Sequence, residues 1–502
     1  MKTPSHDLFH FIHSMTSSEK RYFKKDTKDS NTLDLFDIIN EMEQYDEEIV
    51  KNRLSDVSYA GNLKVHKNRL QQILLKNLRS FYEEKTAQSK IKVLIENSEI
   101  FLKKQLYDLA AAQLDKAIQY CENYEEFELK LVALGIKARM SSYFTELNSF
   151  EETPIIEMDR CSKQIQNYIQ HAIVNKKILH LFDLESSGTL MSEIFPRVRQ
   201  IIESEIIDKN QSPISTIAER MFLHSQALMY QAKGDLAKAC ELSKQIVTGF
   251  ESNIFIVEEK NAQYFNTIVN YLSFCCRLEG GQKEVELYAG KALNHASVYE
   301  QLMPNMIYIY SCYVESLRLG RQYTKLKALI ESEVNELISK YRLSDTFLAN
   351  KTLAMSVESY IACNDYDSAG IILRNLIAQK QCLPKDVQLS VYTLELIYHY
   401  DKGDFQFIDI LVNNHLKKVR RNNEHQKFFD AVLGFFKNLA SSNLNEHKNL
   451  FQLCRSSLPI FEDDTVFHQL SNFINYAVWI ETQIRKQPYK LIAEERSRDK
   501  YN

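Results

Sequence analysis

A six-residue phrase recurs along this chain. A helical run ends, a short polar or glycine turn follows, then comes an apolar residue, and three residues later a small or apolar residue placed to face the preceding helix. The copies run from Gln105 to Ala110, Gly234 to Ala239, Gly280 to Val285, Arg321 to Leu326, Asn364 to Ala369 and Gly403 to Ile408, with a weaker seventh from Asn443 to His447. The last members of the second to seventh copies fall at 239, 285, 326, 369, 408 and 447, in steps of 46, 41, 43, 39 and 39, a period near 42. Gly or Asn at the turn suits a left-handed backbone at a helix end, and the Asp that follows in several copies can cap the next helix. Each phrase therefore predicts a helix hairpin, with Gly234, Gly281 and Gly403 marking turns. Prolines agree: Thr153-Pro154 and Ser212-Pro213 put a capping hydroxyl before a first-turn proline, and Pro304 and Pro384 can open the first helices of two repeats.

Composition points the same way. The 502 residues include only 12 Gly and 8 Pro, about 4% together against a usual share of roughly 12%. A sandwich, a barrel or a doubly wound sheet of this length needs many more turn residues. The expected class is all-α, an α-solenoid of antiparallel helix hairpins preceded by a helical N-terminal segment.

Several stretches resemble the tetratricopeptide-repeat superfamily in its longer-helix variants. Gln105 to Ala117 and Gly234 to Ala239 match that motif's turn and second helix. The resemblance places the motif's small residue at the helix crossing on Ser98, Ala227 and Ser273, and its following aromatic on Phe101, Tyr230 and Tyr360. The period departs from the usual 34, and the fourth, sixth and seventh copies lack the small residue of the second helix. The opening stretch, Leu8 to Lys24 with Ser18-Glu19-Lys20-Arg21-Tyr22-Phe23, is similar to the start of a family of uncharacterised bacterial helical-repeat proteins. It implies a bacterial cytoplasmic setting and brings no activity with it.

The organisation expected is an N-terminal helical segment over 1–85, divergent hairpins over 86–212, tetratricopeptide-like repeats over 213–462, and a capping helix with a charged tail over 463–502. Residues 146–212 read as less regular helices broken at Asn148-Ser149, Ser186-Ser187-Gly188 and Asn210-Gln211-Ser212. The capping helix is read from Val466, Leu470, Phe473, Ala477, Ile480 and Ile484, spaced 4, 3, 4, 3 and 4, with the sole tryptophan, Trp479, beside that stripe. From Gln487 onward the chain reads as a loose tail.

Charge is nearly balanced, 62 basic residues against 66 acidic, and favours neither nucleic acid nor membrane over the chain as a whole. The first residues have no signal-peptide core, and no window approaches the roughly 18 apolar residues of a membrane span. A cytoplasmic protein is expected. Nine scattered cysteines with no C-x-x-C suit reduced core thiols, including the adjacent Cys275-Cys276. Phosphate-loop, dinucleotide, nucleophile-elbow and zinc-protease motifs are all missing from the sequence. No enzymatic activity and no cofactor are expected.

Three local constellations carry chemistry. His6, His10 and His13 share a helix face at metal-ligand spacing without an identifiable fourth ligand, which favours an exposed face. Val57 to Tyr82 forms a basic amphipathic helix with Lys64, Lys67, Arg69, Lys76 and Arg79 and no acid; with the preceding Tyr45 to Leu54 it resembles the last two helices of a helix-turn-helix module. Lys417-Lys418-Val419-Arg420-Arg421 suits the C-terminal end of a helix.

The leading expectation is a non-enzymatic scaffold that binds a protein or peptide partner on a concave face. The tetratricopeptide resemblance puts the groove-lining positions on His224, Asn270, Arg277, Glu315, Arg318, Lys351, Glu358 and Tyr400. The alternative is a regulator whose segment 1–85 binds DNA through the basic helix while the repeats sense a peptide or protein.

Overall fold

The structure is a computed structural model that describes residues 4–54, 62–83, 85–140, 153–185, 191–204, 212–379, 383, 385–421, 427–461, 467 and 470–498. Among them the secondary structure is helical with no strand, and most helices pack against their neighbours in sequence. The chain divides into two compact units, one of residues 1–225 with 249–261, the other of residues 226–248 with 262–502.

The first unit opens with α1 (Pro4–Ser14), α2 (Ser17–Asp26), α3 (Ser30–Asn40), α4 (Glu47–Arg53) and α5 (Leu63–Tyr82). Local chemistry sets their ends. Thr16 and Glu19 form a capping box at α2: Glu19 N donates to Thr16 Oγ1 at 3.3 Å and Thr16 N donates to Glu19 Oε2 at 2.6 Å. The other Glu19 oxygen accepts the Tyr82 hydroxyl at 2.5 Å, which ties α2 to the end of α5. Leu8, Ile12, Phe23, Phe36, Ile39, Leu70 and Leu74 build a core confined to these five helices.

Next come α6 (Ala87–Lys103), α7 (Tyr107–Tyr124), α8 (Phe127–Met140), α9 (Thr153–Glu185) and α10 (Met191–Ile202), of which α7 to α10 each pack on the one before. Where less regular helices were expected, α9 is one unbroken helix. It contains no glycine and its single proline, Pro154, sits in the first turn, so nothing stops it; the expected breaks at 148–149 and 186–188 lie outside the described residues. Pro213 is not in a helical first turn as expected. It lies in the loop before α11 (Thr216–Lys233), where Asn167 of α9 holds both sides: its Nδ2 donates to Ser212 O at 3.1 Å and its Oδ1 accepts Ile214 N at 3.1 Å. The short α13 (Ile254–Glu259), which follows α12 (Leu236–Glu251), packs on α7 within this unit.

The second unit holds the later part of α11, most of α12, and then α14 (Asn261–Cys275) from Ala262 onward. It continues through α15 (Gln282–Val298), α16 (Met306–Leu319), α17 (Tyr323–Leu329), α18 (Asn335–Lys340), α19 (Phe347–Ala362), α20 (Tyr366–Ala378), α21 (Lys385–Asp401), α22 (Phe405–Arg421), α23 (Lys427–Ser441) and α24 (Leu444–Ser457). Pro304 lies in the 3-10 turn that leads into α16, while Pro384 is outside the described residues. A final pair, α25 (Tyr476–Arg485) and α26 (Tyr489–Arg498), closes the chain.

Each of the six expected hairpin phrases is a helix hairpin turn with one left-handed residue: Gln105, Gly234, Gly280, Arg321, Asn364 and Gly403, with φ between 57° and 87°. In five of them the residue after it donates to a carbonyl five residues back, as Asp235 N does to Tyr230 O at 2.9 Å and Asp365 N to Tyr360 O at 2.8 Å. That bond satisfies a carbonyl orphaned at the helix end. The last members of the phrases, Ala110, Ala239, Val285, Leu326, Ala369 and Ile408, are all fully buried. One detail differs: the left-handed glycine is Gly280, not Gly281, whose φ is −69°. Gly281 answers a different demand, because a Cβ there would sit 2.3 Å from the Cys275 carbonyl oxygen.

At the other end the expected single capping helix is divided. The chain turns at Asn472-Phe473, and Asn475 caps α25 by accepting Val478 N at 3.1 Å. Residues read as a loose tail form α26, whose Tyr489, Ile492 and Ala493 are buried.

The turn geometry predicts opposite outcomes at two sites. Gly234→Ala puts a Cβ on a left-handed residue and lowers the unfolding free energy by about 1 kcal/mol, whereas Gln105→Gly relieves the same strain and does not lower it; urea denaturation of each variant checks both.

Candidate functional site

The first helices of successive hairpins in the second unit are α14, α16, α19, α21 and α23, and charged residues recur near their C-terminal ends. Arg277, just beyond α14, donates from Nε to Glu315 Oε1 on α16 at 3.1 Å. One hairpin on, Arg318 Nη1 of α16 donates to Glu358 Oε2 of α19 at 3.1 Å. The same rung is thus made twice, in different surroundings. The Arg277 side chain is 44% exposed, but Arg318 and Glu358 are 5% and 1% exposed.

The C-terminal segment buries the second rung. Glu358 Oε1 accepts the Asn475 backbone N–H at 3.2 Å, the Tyr489 hydroxyl, and the Tyr323 hydroxyl at 3.5 Å. Arg318 also reaches Ser471 O at 3.5 Å, Arg321 donates to Ala493 O, and Lys490 donates to Thr324 Oγ1 at 3.2 Å. Burial and the nearby Glu358 carboxylate hold the Tyr323 and Tyr489 hydroxyls well above the ordinary phenol range, so both remain donors. Main-chain groups of residues 471–498 are therefore bound by Arg318 of α16, Arg321 of the turn after it and Glu358 of α19.

A second contact lies at the end of α21. Tyr400 bonds His447 Nδ1 at 2.9 Å and meets the Trp479 ring edge-on at 5.8 Å. Asp401 Oδ1 accepts Trp479 Nε1 at 3.2 Å and Gln483 Nε2 at 2.9 Å. No cation pairs with Asp401 among the described residues. Burial pushes its carboxyl up from 3.8 to about 7, against the pull of hydrogen bonds from Trp479, Tyr366 and Gln483. Trp479 itself is 1% exposed, packed between Phe436, Phe451 and Tyr400.

Of the residues expected to line an open groove, Arg318, Glu358 and Tyr400 are instead engaged by the chain's own segments. Asn270 and Arg277 are exposed, Glu315 pairs with Arg277, and Lys351, half-buried, stands two turns before Glu358 on α19. His224, in the first unit, is half-buried against α9, where its Nδ1 lies 2.9 Å from Asn175 Nδ2, and burial pushes its imidazole down to about 4. It is neutral at neutral pH. The sequence reading does not include Asp401, Tyr489 or Asn475; the signals near them are Tyr400, the apolar stripe from Val466 to Ile484 and the sole tryptophan.

In α5 the basic residues divide. Lys67, expected on the open basic face, is 3% exposed, lies over the Tyr45 ring and bonds Glu47 Oε2 at 2.8 Å. Arg69 is exposed and reaches Asp29 at 3.5 Å. Lys64, Lys76 and Arg79 are exposed without an ion pair among the described residues. On α1, His13 Nε2 lies 3.2 Å from Ile39 O and His6 packs edge-on against Tyr45; no cluster of three His, Cys, Asp or Glu able to hold a metal ion occurs among the described residues. Cys275 and Cys276 are buried. The side chains of 417–421 lie outside the described set. No described helix is long and apolar enough to cross a membrane.

No known family, curated protein or solved structure matches the chain.

Asp401 supplies a pH prediction. The unfolded chain releases this proton near 3.8 while the folded chain keeps it to about 7, so the folded state holds the extra proton between those values. Stability falls as pH rises through that window and levels off above it. Trp479 fluorescence should titrate with a midpoint of about 7, and Asp401→Asn, which keeps an acceptor but cannot ionise, should abolish that titration.

Proposed function

We propose that this chain is a non-enzymatic scaffold, a tetratricopeptide-like α-solenoid whose first helices form a concave face that binds a segment of a protein partner. One observation carries the reading. The face already holds a polypeptide: Glu358 takes a backbone N–H, and Arg318 and Arg321 take backbone carbonyls, from residues 471–498. Charged groups that engage main-chain atoms recognise peptide in a way that depends little on its side chains. The C-terminal helix pair fills the stretch at Arg318, Glu358 and Tyr400, and the stretch at Asn270, Arg277, Glu315 and Lys351 is the part offered to the partner. There the mixed charges suit a polar or zwitterionic segment.

Immobilised full-length protein, used to capture partners from native lysate, tests the reading. Arg277→Glu with Lys351→Glu, on exposed and half-buried positions, should leave the circular dichroism spectrum unchanged and cut recovery of the captured protein about tenfold, the effect of losing roughly 1.4 kcal/mol. Undiminished capture contradicts the assignment.

A second reading, a DNA-binding regulator, draws on α5. Lys64, Asn68, Gln72, Lys76 and Arg79 are exposed and follow one another at three- or four-residue steps, so cations flank two amides on one face. Retention of the full chain on duplex DNA that falls steeply with salt, and is lost in Lys64→Glu with Lys76→Glu, supports it; no retention at low salt dismisses it.

A further inference from the structure

We infer that the space enclosed by α23, α24 and α25 is a binding site for a neutral, predominantly apolar small molecule. A cavity of about 520 Å³ opens there, walled by Phe435 and Phe436 of α23, Leu453 of α24 and Trp479 of α25. The volume is that of a small-molecule pocket, which spans roughly 300–1,000 Å³, and it exceeds what one inserted side chain of a partner would fill.

The lining identifies the ligand class. No charged side chain faces the cavity among the described residues, and its polar groups are few, chiefly the Asn438 amide, the Ser457 hydroxyl and the Cys454 thiol. Burial pushes that thiol up to about 11, so it too is neutral. An ionic ligand would lose its hydration there without gaining a counter-charge, while a fused-ring or chain hydrocarbon would gain contact with aromatic faces. At the mouth, Leu453 and Ile460 are 64% and 78% exposed, apolar surface that such a ligand would cover.

Two sequence choices are consistent with a kept space. Gly434, a glycine inside α23, lines the cavity, and a Cβ there would meet nothing within 4 Å. Glycine in a helix interior costs roughly 0.5–1 kcal/mol relative to alanine, and here no close contact requires it. Trp479, the only tryptophan of the chain, stacks on Phe436 with ring centroids 5.6 Å apart and forms one wall. A ligand would therefore lie within energy-transfer range of a single defined fluorophore.

N-phenyl-1-naphthylamine, a neutral apolar dye that accepts energy from tryptophan, tests the inference on the full-length protein. Saturable binding of one dye per chain is expected, with quenching of Trp479 and sensitised dye emission. Gly434→Leu should weaken it by roughly tenfold while preserving the circular dichroism spectrum and the melting temperature. Ala431→Leu, which lines the same cavity, serves if the first variant fails to fold. Absence of saturable binding, binding unaltered by both filling variants, or binding without transfer from Trp479 overturns the proposal.

Discussion

A carboxylate that is 1% exposed, that of Glu358, has to be provided with partners, and the C-terminal part of the second unit is arranged around that need. An ion buried without compensation costs several kcal/mol, and removing one member of a buried pair typically costs about 3–5 kcal/mol. Arg318 supplies the opposite charge on one oxygen; the other takes donors from Asn475, Tyr489 and Tyr323. Two of those donors come from residues more than a hundred positions later in the chain. Without the returning segment, the rung between α16 and α19 would keep its charges but lose most of its hydrogen bonds. The repeated rung makes the comparison: no hydrogen bond from residues 471–498 to Arg277 or Glu315 occurs among the described residues, and there the arginine side chain is 44% exposed.

Apolar packing reinforces the same docking. Trp479 presses into Phe436, Phe451 and Tyr400, and truncation of a buried tryptophan commonly costs about 3–5 kcal/mol. Its indole N–H shares Asp401 with Gln483, so the wall of the aromatic cavity and the grip on α21 belong to one short helix. A proton on Asp401 relieves the desolvation of its carboxylate, which links the docking of α25 to pH. The C-terminal pair is thus held at two places of different chemistry, a charged one at Glu358 and a mainly aromatic one at Trp479.

How much of this was legible in the sequence follows from the range of the interactions. The hairpin turns were, because they are local: a left-handed residue, a helix-end carbonyl and an apolar residue placed to fall inward lie within six positions, and all six phrases form such turns. Even so, Gly280 and Gly281 exchanged roles, since the choice between them depends on the approach of the Cys275 carbonyl. The rungs were partly legible. Arg277, Glu315, Arg318 and Glu358 were picked out together from the repeat resemblance, but an amphipathic pattern does not say what covers a helix face. The partners of Glu358 lie 117 and 131 residues away. The α26 helix is hidden for a related reason: its charged sequence suggests a free tail, while Tyr489, Ile492 and Ala493 face inward. Lys67 was misplaced because a lysine in a basic run gives no sign of an acidic partner, Glu47, waiting on another helix.

Native-state hydrogen exchange on the Glu358→Gln variant tests the central dependence most directly. Amides of residues 476–498 should exchange markedly faster than in the unaltered chain while those of α14 and α15 keep their protection. Unchanged protection of 476–498, or an equal loss across the whole second unit, would contradict it.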